Sequence, residues 1–393
     1  MRRYLDLVRV PLLGRLYAAS LLARLPMGIN GLAVVLLLRE ERGSFAIAGA
    51  TAGALALGTG LGAPFAARLI DRLGPRLLLA YAAVHAGGLL GLVALAGAPV
   101  GDAAVLAVAL VTGVAFPPSS SVQRVQYPRL LSDRPELLQT AFALDSVIVE
   151  TVFTAGPLLT AAIAVLLGPG AVLVFSATAI AVGVPWLLSA LPSSEGPAQP
   201  ASRSRLGALA APGIRTLVGS MLPVGFAFGS LEVALPAFAD AEGSPELAGV
   251  LIALWSAGSM AGGIVYGSRP RRARLDTVHL RVAVLLPLSF LPLALAFSPL
   301  VMALLAPLAG VLIAPLIATR NELAGAVAPA GAQTEAYTWP LTALVSGIAL
   351  GAAAAGAISD ASGWQAAVLV AAGAAAAGAA VAAGRRTTLA PVT

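Results

Sequence analysis

The sequence predicts an all-α membrane protein of twelve transmembrane helices, arranged as two six-helix halves. Three observations lead there. The composition is 59% hydrophobic and 11% charged, with a mean hydropathy of +0.91, whereas a soluble domain carries about 25% charged residues. Apolar runs long enough to span a bilayer recur along all 393 residues. Positive charge is confined almost entirely to alternate loops.

A spanning helix needs about 20 apolar residues. Twelve stretches qualify: 16–38, 45–67, 77–97, 103–123, 138–167, 170–190, 214–239, 247–267, 278–297, 300–319, 334–357 and 364–384. The first begins after Arg15 and stops at Arg39, and the second stops at Arg68. Arg76 precedes the third, Arg124 ends the fourth and Arg134 precedes the fifth. The sixth runs out into the polar stretch 191–213, and Arg215 lies at the head of the seventh. Asp240, Glu242 and Glu246 separate the seventh from the eighth, which stops at Arg269. The ninth follows Arg274, Arg320 ends the tenth, Glu335 opens the eleventh, and Arg385 ends the twelfth. Internal Gly and Pro are tolerated in such helices. The first span is too long for a cleaved leader, and no small-residue cleavage site follows it.

With the N-terminus placed inside, inner segments hold 21 of the 24 basic residues, all of them arginine. That bias predicts cytoplasmic termini and a multi-pass protein of the cell's inner (plasma) membrane. The net charge of +6 is therefore a topology signal, and no nucleic-acid partner is expected. Without lysine there is no P-loop and no Schiff base. Without cysteine there is no thiolate chemistry, and two histidines are too few for a His-rich metal site. No cofactor and no metal are expected.

The stretch 191–213 divides the chain into an N-terminal bundle (1–190), a cytoplasmic linker and a C-terminal bundle (214–393). The halves repeat. Leu25-Pro26-Met27-Gly28 matches Leu222-Pro223-Val224-Gly225. Gly58 and Gly62 match Gly258 and Gly262. Ala141-Phe142 and Gly156 match Ala336-Tyr337 and Gly351. Six spans per half give both halves one orientation, as in parallel transporter repeats.

The loop after the second span reads Ala67-Arg68-Leu69-Ile70-Asp71-Arg72-Leu73-Gly74-Pro75-Arg76. This loop and the repeated halves resemble the major facilitator superfamily over essentially the whole chain. Asp71, Arg72, Gly74 and Arg76 match that family's loop motif, while Ala67 and Leu77 depart from it. Gly74 permits a tight turn, Arg72 and Arg76 suit membrane lipid phosphates, and Asp71 is expected near the start of the following helix. The resemblance implies that Asp71 latches the inner gate. Gly156-Pro157 in the fifth span resembles, in part, the motif of proton-driven exporters.

Few charges lie inside the spans, where each is costly. Arg24 in the first span and Asp145 in the fifth sit at matching depth with opposite sign, which predicts a pair. Glu150 lies five residues further along, and a carboxyl stripped of water is most cheaply kept by taking up a proton. It is the leading candidate for proton coupling, with Asp145, Arg24 and Glu232 beside it. Arg124 is expected to snorkel, or to pair with Asp133 or Glu136. Glu322 and Glu335 are expected at the inner surface, and His85 and His279 are expected to be structural. Asn30, Trp255, Tyr337 and Trp339 are the substrate-facing candidates. A cavity so poor in polar groups suits amphipathic or lipophilic molecules better than sugars.

The expected function is a secondary transporter working by alternating access, exporting small amphipathic or lipophilic compounds in exchange for protons as an antiporter. The alternative is a proton symporter or facilitator importing a nutrient. A non-transporting receptor and an intramembrane enzyme belong to other classes, and for an enzyme no catalytic signature is present. The expected partners are a small-molecule substrate, protons and membrane lipid, with the chain acting as a monomer.

Overall fold

The computed structural model describes residues 2–192, 206–244 and 247–390. It is all-helical, with no strand among the described residues. The helices are α1 (Arg2–Val8), α2 (Leu13–Arg42), α3 (Phe45–Leu73), α4 (Leu78–Ala96), α5 (Asp102–Val114), α6 (Ser119–Leu130), α7 (Leu138–Leu167), α8 (Pro169–Ser189), α9 (Pro212–Ala241), α10 (Leu247–Ser268), α11 (Leu275–Phe290), α12 (Pro299–Gly310), α13 (Ile313–Ala326), α14 (Gln333–Ser362) and α15 (Trp364–Gly384). Twelve candidate spans result, with α5–α6 and α12–α13 each forming one broken span. Pro117 and Pro118 cannot donate to the helical ladder, and they fall in the gap between α5 and α6. Large apolar side chains such as Val165 (85% exposed) and Phe297 (82%) point outward. Such a surface suits hydrocarbon rather than water.

The chain forms two compact units. Among the described residues, one holds 8–130 with 151–192, and the other holds 2–7, 131–150 and 206–390. The second unit therefore includes α1 and the first half of α7.

Both units use glycine for the same purpose. In the first, a Cβ added at Gly58 or Gly62 of α3 would lie 2.2 or 2.5 Å from the carbonyl oxygen of Leu110 or Val114 of α5. In the second, a Cβ at Gly258 or Gly262 of α10 would lie 1.9 or 1.8 Å from that of Pro307 or Val311. Gly156 of α7 likewise lies against Gly28 of α2, and Gly351 of α14 against Phe226 of α9. Every repeated glycine identified in the sequence thus sits where two backbones touch. Between membrane helices, association relies on such close packing because water supplies no hydrophobic drive.

Several expectations need correction. Asp71 does not head the following helix. It lies in the last turn of α3, which runs on to Leu73, where the helix dipole disfavours an acid. Gly74 makes the turn at φ 95°. Arg124 does not snorkel, being 1% exposed, and Arg320 is equally buried. Glu322 and Glu335 are not surface groups, at 7% and 1% exposed. The loop after α10 covers the first through Arg271. The turn at Gly207–Ala210 covers the second, because the Ala208 amide donates to the Glu335 carboxylate at 3.1 Å.

Gly62→Val and Gly262→Val should each lower the melting temperature by several degrees, followed by tryptophan fluorescence in detergent. Gly60→Val, on the same helix as Gly62 but with open space around it, should leave it within a degree or so.

Candidate functional site

The second unit brings α7, α9 and α10 together around two acids. Ser259 of α10 donates a 2.7 Å hydrogen bond to Oε1 of Glu150 on α7. Glu232 of α9 is near enough for its charge to repel that of Glu150. Trp255 stands one helical turn before Ser259, and Phe228 one turn before Glu232, so each pair shares a helix face. The two rings meet edge to face, with centroids 6.1 Å apart at 79°. Trp255 is 6% exposed, yet its indole N–H has no acceptor among the described residues. An indole nitrogen can only donate, so this group is ready for an acceptor on a bound molecule.

The chemistry available here is limited and specific. Two carboxyl groups that repel one another can relieve the repulsion by holding a proton or an organic cation. The aromatic pair offers apolar surface and ring faces, which attract cations. Among the described residues, no group of three or more His, Cys, Asp or Glu is arranged to hold a metal.

The remaining candidates fall elsewhere. In the first unit, Arg24 is fully buried on α2 and donates a 2.6 Å bond to Gln123 of α6. Asp145 is fully buried on α7 in the second unit. Asn30 joins a buried chain: Ser176 donates to its carbonyl, and its amide meets Nε2 of His85 at 3.1 Å. Nδ1 of His85 lies 2.7 Å from the Thr112 carbonyl. A carbonyl can only accept, so the proton is on Nδ1, and Nε2 accepts from Asn30. This chain ties α2, α4, α5 and α8 together. Tyr337 is 2% exposed with its ring 6.2 Å from that of Phe142. Trp339 donates a 3.0 Å bond to Glu335, one turn back. Gly156 lies at the α2–α7 crossing, and Pro157 lies within an unbroken α7. Arg72 and Arg76 are exposed.

A second feature escaped the sequence reading. The last four carbonyls of any helix lack intrahelical partners. At the end of α10, Gln139 of α7 donates to the Tyr266 and Arg269 carbonyls at 2.7 and 3.1 Å. Thr140 donates to Gly267 at 2.8 Å, and Ser268 caps Val265 at 2.9 Å. Tyr4 of α1 shares its hydroxyl between the Gly263 and Ile264 carbonyls at 3.0 and 3.2 Å, and Arg3 donates to the Glu136 carbonyl. Burial pushes the Tyr4 hydroxyl up to about 12, so it remains a donor at any physiological pH. Nearby, Arg271 and Glu322 pair at 2.6 Å. Burial acts to lower the Arg271 pKa, but the hydrogen bond and charge of Glu322 outweigh it and hold the guanidinium above its ordinary value. Nothing in the periodicity marks Ser259, Gln139, Tyr4 or Arg271. Only a polar side chain standing alone in an apolar run hints at Ser259.

Twelve apolar spans in two repeating halves, with a few buried acids, define a multi-pass membrane transporter. The Major Facilitator Superfamily model matches residues 16–339, and the chain belongs to that family. It is accordingly a transporter and not an enzyme. No curated protein matches the sequence. Among solved structures, the human organic anion transporter MFSD10 (TETRAN) is similar at 20% identity and a TM-score of 0.72, covering 97% of this chain and 99% of its own. A bacterial homologue of the iron transporter ferroportin, in its outward-facing state, is similar at 15% identity and a TM-score of 0.73, with 95% and 99% covered. The Escherichia coli fucose:proton symporter FucP (N162A) is similar at 14% and 0.64, with 95% and 98% covered. At these identities the likeness shows the fold alone.

Removing Arg271 strands a buried carboxylate, so Arg271→Met should cost more stability than the double change with Glu322→Gln. A thermal-melt cycle of the two single variants and the double variant measures this coupling.

Proposed function

We propose that this chain is a proton-coupled exporter of small lipophilic compounds, best suited to amphipathic cations, working by alternating access. The observation that carries the reading is the contact of Glu150 with Ser259 at 2.7 Å, within charge reach of Glu232. Glu150 is the proton carrier. Glu232, Trp255 and Phe228 receive the substrate. Proton and cation then compete for one pair of acids, and that competition is what exchange requires. The Arg-rich end faces the cytoplasm and the protein lies in the plasma membrane as a monomer. The division into bundles 1–190 and 214–393 is part of this proposal; residues 193–205 of the linker at 191–213 lie outside the described residues.

In this reading the contacts at the end of α10 belong to the inner gate. Opening inward requires Gln139, Thr140 and Tyr4 to release its carbonyls, and water replaces them. Asp71 and its neighbours Arg72, Gly74 and Arg76, with the Gly156-Pro157 site, bias the same equilibrium.

The test uses proteoliposomes, tetraphenylphosphonium as the probe, a clamped membrane potential and an imposed pH gradient. Glu150→Gln should abolish gradient-driven accumulation and retain downhill exchange. Undiminished gradient-driven flux would transfer the role to Asp145 or Glu232, and the direction of the flux separates export from import.

Arg24 and Asp145 are proposed as further proton-coupling residues: Arg24→Gln and Asp145→Asn should each lower gradient-driven flux in the same assay, and unchanged flux in either would remove that residue.

A further inference from the structure

A cavity of about 780 Å³ opens in the second unit among α10, α11, α13 and the Val311–Leu312 link before it, at the Arg-rich end, with Gln139 of α7 also lining it. Its walls are apolar, built from Ala261, Val265, Val278, Val282, Val311 and Leu312. Its rim is cationic, carrying Arg269, Arg271, Arg272 and Arg281. Only Arg271 is neutralised, by Glu322. The other three make no ion pair among the described residues and are exposed.

Arg281 is the informative member of this group. It stands six residues after Leu275, the first residue of α11, about 9 Å along the helix. A loop arginine is satisfied by water. An arginine that far into a spanning helix, with no ion pair among the described residues, reaches toward the membrane interface, where an anion would satisfy it. Basic pockets between spanning helices are the sites at which charged lipid headgroups are bound. The volume lies within the roughly 300–1,000 Å³ of ordinary ligand sites. An inorganic anion would leave the valine walls unused, and a zwitterionic lipid would leave the positive charge unbalanced.

We infer that this cavity binds one anionic phospholipid. Arg269, Arg272 and Arg281 hold its phosphate, and the first carbons of its acyl chains lie along Val265, Val278 and Val282. Neither Glu150 nor Ser259 lines the cavity, and the inference does not depend on the transport reading.

The full-length protein, purified in neutral detergent, is titrated with dioleoyl phosphatidylglycerol, dioleoyl phosphatidylcholine or inorganic phosphate, and bound lipid is read by native mass spectrometry. Phosphatidylglycerol should be retained in preference to phosphatidylcholine, and millimolar phosphate should not displace it. R269Q/R272Q/R281Q should weaken retention by about tenfold or more. The charge-matched control R134Q/R385Q/R386Q should not. Val265→Trp, which fills the cavity without changing charge, should also weaken it. Equal losses in the two triple variants would show attraction to overall charge and overturn the proposal. Displacement by phosphate alone, or no preference for the anionic lipid, would also overturn it. If Val265→Trp fails to fold, the comparison of the two triple variants decides.

Discussion

The structure depends on one constraint, the cost of keeping a charge or an unpaired polar group inside an apolar helical bundle. Helices meet that constraint for the backbone by satisfying their own amides. Side chains must meet it with partners. Arg24 reaches Gln123, Asn30 spends its amide on His85 and Ser176, and Glu335 takes an amide from the turn before α9 and the indole of Trp339. The Arg24 and Asn30 contacts come from neighbouring helices and so fix how those helices pack.

Glu150 meets the constraint in a different way. A single serine hydroxyl holds it, and a second acid stands near enough to repel it. A group held so lightly can exchange its proton or its partner without unfolding the bundle. The buried indole of Trp255, which has no acceptor among the described residues, has the same character. A transporter needs such a weakly satisfied place in an otherwise satisfied interior, because a site that is already content has no reason to bind or release anything.

Much of the fold was legible because its signals are local. Hydropathy marked all twelve spans; the helices run four to seven residues past the expected end of the first, second, fourth, tenth and eleventh, and coincide with the fifth and twelfth. Glycines recurring at offsets near 200 marked the backbone crossings, since a Cβ at any of them would lie about 2 Å from a neighbouring carbonyl oxygen. What failed depends on what lies above a residue rather than on its sequence neighbours. Arg124 and Glu335 read as interfacial because they end or begin a span, yet both are buried. Asp71 ends a helix instead of heading one because α3 runs past Arg68 to Leu73. Of the site, the charged members Glu150 and Glu232 were visible as costly groups in spans. Ser259 and Phe228 were not, because a hydroxyl or a ring in an apolar run carries no cost that demands explanation.

The central claim is that Glu150 carries a proton that the substrate displaces. It is tested most directly by measuring proton release as tetraphenylphosphonium binds to purified protein in weakly buffered detergent, with a pH-sensitive dye. The account predicts stoichiometric release from the wild type and none from Glu150→Gln that still binds the cation. Equal release from both would contradict it.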